Sequence, residues 1–184
     1  MSLGPGEHEL APPSANLRLR TYRQGLAAKA GHDLVLEATS WHGSVQVPDE
    51  PDGVPSVTVE VDLRSLQVVE GSGGVKPLTE GDKAEIRKTM QKPMRTAEHP
   101  MATFRSTVVR IDGDQATLHG ELTLAGQTHP VELHAHRAGA AVVGRAEIVQ
   151  SVWGIKPYTG FLGALKLRDA VVVDVSVPLA AGAG

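Results

Sequence analysis

Leu-His-Gly-Glu-Leu-Thr-Leu-Ala-Gly-Gln-Thr-His-Pro-Val-Glu-Leu-His-Ala, residues 118–135, reads as two alternating strands around a glycine-centred reversal. Leu118, Gly120, Leu122 and Leu124 fall on one face, with His119, Glu121 and Thr123 on the other. After the turn Val131, Leu133 and Ala135 alternate with Glu132, His134 and His136. The pattern predicts a β-hairpin with one oily face. Of two registers that keep apolar opposite apolar, pairing Leu122 with Leu133 is preferred, because pairing Leu122 with Val131 sets Glu121 opposite Glu132.

The same alternation recurs on both sides of the hairpin. Leu17 and Leu19 alternate with Arg18 and Arg20 in a strand expected over 16–24, broken by a helical turn between Gly25 and Gly31. Leu34, Leu36 and Ala38 follow, then Trp41, Gly43, Val45 and Val47, then Val57, Val59 and Val61, then a short strand at Leu66. Ala102, Phe104 and Val108, the run 142–149, and Val171, Val173, Val175 and Val177 complete about ten strands. One helix interrupts them: Thr79 is its expected N-cap, with Asp82 three residues on, Ile86 and Met90 on one face and Pro93 as its stop.

Short strands without a repeating strand–helix unit predict an all-β fold: an extended antiparallel barrel with one surface helix, closed so that no edge is left open. A chain of 184 residues suits one domain, expected over 16–178, with flexible tails at 1–15 and 179–184. A net charge of −3 offers no general attraction for nucleic acid, and no partner of that kind is expected. The absence of cysteine removes disulfide and thiolate chemistry. No run of about eighteen apolar residues predicts a membrane-spanning helix, and no export signal opens the chain, so a cytoplasmic location is expected. A valine-rich last strand without blocking lysines predicts a homodimer.

Several stretches together resemble the YceI family of lipid-binding, lipocalin-like barrel proteins. They are Gly31-His32-Asp33, the run from Val61 to Leu66, His99-Pro100 with Thr103-Phe104-Arg105-Ser106, the run from Gly120 to Val131, and Trp153-Gly154-Ile155. The resemblance covers roughly residues 17–177 and implies a barrel whose hydrophobic channel holds a polyisoprenoid or similar chain. The Arg and Asp that flank the family's Phe-Gly-Ile stretch are replaced here by Gln150 and Val152, with Trp153 for the aromatic. These departures suggest a divergent subgroup of actinobacterial appearance.

On this reading the protein is a carrier or sequestering protein for a polyisoprenoid, an isoprenoid quinone or an acyl lipid, with no cofactor. Its interior is expected to be lined by Leu34, Leu36, Val57, Val59, Phe104, Val108, Leu118, Leu122, Leu133 and Val173. Trp153, Ile155, Tyr158 and Phe161 are expected to form a mobile mouth with residues 71–90, where Lys76 and Lys156 bracket a headgroup. The alternative is an enzyme using the same cavity, with His32 or Tyr158 transferring a proton. His119, His134 and His136 share the polar face of the hairpin and are weak metal candidates, but that face is the solvent side of the barrel and their spacing matches no strong zinc motif, so no metal is expected.

Overall fold

The computed structural model describes residues 4–50 and 53–179. In chain order the strands are β1 (Gly6–Leu10), β2 (Asn16–Thr21), β3 (Arg23–Gln24), β4 (His32–Ala38), β5 (Trp41–Val47), β6 (Ser56–Asp62) and β7 (Leu66–Gly73). The helix α1 (Glu80–Gln91) follows, then β8 (Met101–Asp112), β9 (Gln115–Leu124), β10 (Gln127–Ala138) and β11 (Ala141–Val149). The chain ends through β12 (Thr159–Gly160), β13 (Leu165–Leu167) and β14 (Ala170–Pro178). Eleven strands form one curled antiparallel sheet in the order β1-β5-β6-β8-β9-β10-β11-β14-β2-β4-β7, and β12, β13 and β3 form a small second sheet.

The fold is thus the expected antiparallel, barrel-like all-β architecture with a single α-helix, but its closure differs. The sheet ends at β1 and β7, which do not pair with each other. Two chain corners draw the halves together instead: Thr39 N–H and Oγ1 both donate to the Ser65 carbonyl, and Asp62 N–H donates to the Ser40 carbonyl. The 16–24 strand splits at Tyr22 into β2 and β3, which join different sheets. The described part of the expected N-terminal tail is structured: Gly6–Leu10 pairs with β5, and both Leu10 and Ala15 are buried. Of the expected C-terminal tail only Leu179 lies within the described residues. The last strand, on which the homodimer expectation centres, is interior: β14 is flanked by β11 and β2, and the sheet edges are β1 and β7.

The hairpin of residues 118–135 adopts neither anticipated register. Leu122 stands opposite His129, and Leu133 opposite Leu118. The reversal decides this, because the loop contains only Ala125 and Gly126, at φ 51° and 82°, and Leu124 therefore pairs directly with Gln127. Two successive left-handed residues are what a two-residue turn needs to match the strand twist. The face assignment survives, since the actual register differs from both by an even number of positions.

The helix keeps its predicted start. Thr79 Oγ1 accepts from Asp82 N–H while Asp82 Oδ2 accepts from Thr79 N–H, a reciprocal cap. No residue of α1 is fully buried, and Ile86 and Met90 pack only partly against the core. That core is in two parts. One gathers Leu10, Leu17, Leu36, Trp41, Leu63 and Leu66 near the corners, the other Ala125, Ala146, Ile148, Trp153 and Ile155. Met94, Leu122, Leu124 and Val173 pack against both.

Candidate functional site

The concave face of the sheet is apolar but incompletely covered. Leu34, Leu36 and Leu118 are buried there, whereas Val57, Val59, Phe104, Leu122, Leu133 and Val173 face the same side and remain only partly buried. Val175 and Val177 extend this strip along β14. In a fully packed domain core, inward residues of this size lose nearly all contact with solvent. The face therefore keeps apolar surface within reach of solvent.

Backbone details shape it. Phe104 lies against Gly120, where a Cβ would stand 2.5 Å from the Phe104 ring and from the Arg105 carbonyl oxygen. The absent side chain of Gly120 is thus what admits the aromatic ring. One expected lining residue is misplaced. A β-bulge between Ser106 and Val108 puts Val108 opposite His119 on the outer face, 39% exposed, while Val109 takes the inward place opposite Leu118. An extra residue reverses the alternation beyond it, and simple counting cannot see that.

The wall has a lateral gap. β10 and β11 pair from Leu133 opposite Ala146 to Ala138 opposite Ala141, yet β10 begins at Gln127 and β11 runs to Val149. An open groove of about 480 Å³ occupies the splayed end, lined by Pro130, Val131, Glu132, Ala146, Glu147, Val149, Val152 and Trp153 among others. Trp153 stands at its inner side, 4% exposed, with its Nε1–H donating to the Leu122 carbonyl at 3.0 Å and its ring edge-on to His129 at 5.3 Å. Ile155 is equally buried, so both residues belong to the packed wall beside the groove.

Of the remaining expected mouth residues, those described lie at the surface. Tyr158 is 49% exposed, and the side chain of Phe161 lies outside the described residues. Lys76 and Lys156 are exposed on different loops, and among the described residues no contact joins them. His32 is held by the Lys76 carbonyl at 2.8 Å from its Nε2, and Asp33 accepts from Arg23 N–H, so the two do not form an acid–base pair. Nor does any contact among the described residues bring His32 to Tyr158.

On the outer face Glu132 meets two imidazoles at once: its Oε2 is 3.2 Å from His119 Nδ1 and its Oε1 is 2.8 Å from His134 Nε2. His136 lies outside this group, exposed opposite Gln115 and Val143. The three histidines therefore do not converge, and no metal-ready cluster occurs among the described residues. Further along the same face Asp174 accepts from Arg145 Nε and Arg20 Nε at 2.7 and 2.8 Å. Partial burial opposes its ionisation, but the hydrogen bonds and positive charges of the two guanidiniums together outweigh it and hold its carboxyl below the ordinary carboxylate value. This network braces β11, β14 and β2, and sequence periodicity identified it only as a polar face.

Comparison with known proteins agrees with this architecture. The family model of the YceI-like domain matches residues 22–179. Protein YceI of Escherichia coli O157:H7 is 41% identical over 78 residues, covering 41% of this chain and 36% of that protein. A UPF0312 protein of Pectobacterium atrosepticum is 48% identical over 78 residues, with the same shares. The matched stretch thus spans about a third of these relatives' length. Among solved structures, BcnA of Burkholderia cenocepacia superposes with a TM-score of 0.61 at 15% identity, covering 88% of this chain and 94% of that one. A mutant CJ YCEI protein gives 0.53 at 13% identity, over 79% and 84%. Relatives from Escherichia and Pectobacterium lend no support to an actinobacterial subgroup. With the family model spanning most of the sheet from β3 to the end of β14, the chain belongs to the YceI-like family.

Proposed function

We propose that this protein carries or sequesters one long apolar chain, isoprenoid or acyl, along its concave face, without catalytic turnover. The carrying observation is the incomplete burial of Val57, Val59, Phe104, Leu122, Leu133 and Val173 on a face that points inward. Covering such a strip with hydrocarbon contributes about 0.8 kcal/mol per CH₂ removed from water, so a chain of ordinary lipid length binds without polar anchors. The groove between β10 and β11 offers a lateral way in beside Trp153. Membership in the YceI-like family, a family of lipid-binding barrels, supports the same reading.

Native mass spectrometry of the purified protein, paired with organic extraction, tests this. One chain per protein is the expected stoichiometry, and it should return when delipidated protein is offered isoprenoid or acyl chains. Failure to reload with either class refutes the carrier.

A further inference from the structure

We infer that one end of the barrel docks on an anionic lipid surface through three loops. The first, residues 25–31, holds Leu26; the second, 71–79, holds Val75; the third, 155–168, holds Tyr158 and Leu162. Leu26 is 100% exposed and Leu162 is 110% exposed, values reached only by side chains standing clear of the protein. Val75 is also strongly exposed.

The loops are joined. Ala27 N–H donates to the Ala164 carbonyl at 3.0 Å, and Lys166 and Leu167 pair with Gln24 and Arg23. Arg23 donates to the Gly31 carbonyl and its guanidinium lies where a Cβ of Gly73 would be, while His32 holds the Lys76 carbonyl. The apolar tips are therefore presented from one connected platform.

Charge selects the occupant. The three segments contain Lys29, Lys76, Lys156, Lys166 and Arg168 and not one carboxylate, in a chain whose net charge is −3. The four lysines are exposed and make no ion pair among the described residues. Of the bordering carboxylates, Asp33 lies 3.8 Å from Arg23 Nε and Glu80 pairs with Lys83, while Glu70, Asp169, which accepts from Ser151, and Asp82, which accepts from Thr79, stand at the margin of the three segments. Exposed leucines amid unpaired lysines match a bilayer with anionic headgroups: apolar tips enter the acyl boundary while lysine stems reach phosphate level. This proposal goes beyond what fills the concave face and stands without it.

The test is co-sedimentation of the full chain with vesicles of phosphatidylglycerol and phosphatidylcholine, or of phosphatidylcholine alone. We expect at least about tenfold stronger partitioning to the anionic vesicles, weakening as salt rises through about 0.15 M. Leu26→Ser with Leu162→Asn should reduce it by about tenfold or more; Asn is chosen because Leu162 sits at φ 54°, a conformation Asn tolerates. Lys29→Glu with Lys166→Glu should weaken it by at least about fivefold per lysine on anionic vesicles only. Equal partitioning to both vesicle types, absence of binding, or binding unchanged in either double variant overturns the proposal. Native mass spectrometry of the same samples separates the two readings. Variants that keep a co-purified chain but lose vesicles support docking. Wild-type protein that binds vesicles yet never holds a chain retains docking and removes carriage.

Discussion

The indole of Trp153 is tied to the carbonyl of Leu122, 31 positions earlier in the chain, by a 3.0 Å hydrogen bond. Leu122 is one of the few residues that pack against both apolar clusters, so this bond fixes the 150–155 segment to the point where the clusters meet. It also sets the inner side of the groove between β10 and β11. Trp153→Ala should cost about 3–5 kcal/mol, through the lost ring and the cavity left behind. Trp153→Phe should cost less, about 1–3 kcal/mol, because it keeps most apolar contact while losing the N–H. Urea denaturation of the two variants measures both.

Gly120 and Phe104 form a second coupled pair. Adding the single methyl of Gly120→Ala drives it into the Phe104 ring and the Arg105 carbonyl, and should destabilise by about 1–3 kcal/mol. Combining it with Phe104→Leu should recover part of that loss, because one of the two clashes is removed. A double-mutant cycle with an additive result would show that the ring is not the obstacle.

Val173 distinguishes an open trough from a filled core. Val173→Phe enlarges a partly buried residue between the clusters. If the space is open, the substitution should change stability by less than about 1 kcal/mol, whereas overpacking a filled core costs about 1–3 kcal/mol. Co-purified chain, measured by mass spectrometry, should fall in the same variant.

The Asp174 network makes stability depend on acid. Because its folded-state pKa lies below the ordinary value, Asp174 contributes stability fully above the unfolded carboxylate pKa of about 3.9, and that contribution is lost as pH falls through the folded value. Asp174→Asn should therefore lose about 1–2 kcal/mol at pH 7 and converge on wild type in strong acid. Thermal unfolding of the two proteins across that range follows the convergence.

Helix α1 should open locally. Thr79→Ala removes the hydroxyl partner of the cap, at a cost of about 1 kcal/mol to a helix that buries little. The expected sign is faster amide exchange over residues 80–91, with the sheet strands unchanged.

Alternation along Leu17, Leu34, Val59, Leu118 and Val173 was enough to assign strands and their inward faces, because strand side chains have period two whatever the partner. The helix start was equally legible, since the Thr79–Asp82 cap is made within four consecutive residues. Register was not. Leu122 faces His129 because Ala125 accepts a left-handed backbone at φ 51°, and its apolar surroundings, with Ala125 itself 1% exposed, exist only in the folded molecule. Val108 turned outward because a bulge added one residue to β8, a choice made between strands. The open edges β1 and β7, the splay beside Trp153 and the meeting of the Leu26 and Leu162 loops likewise depend on which strands become neighbours. Local periodicity determines which side of each strand is oily; only tertiary pairing decides what that side meets.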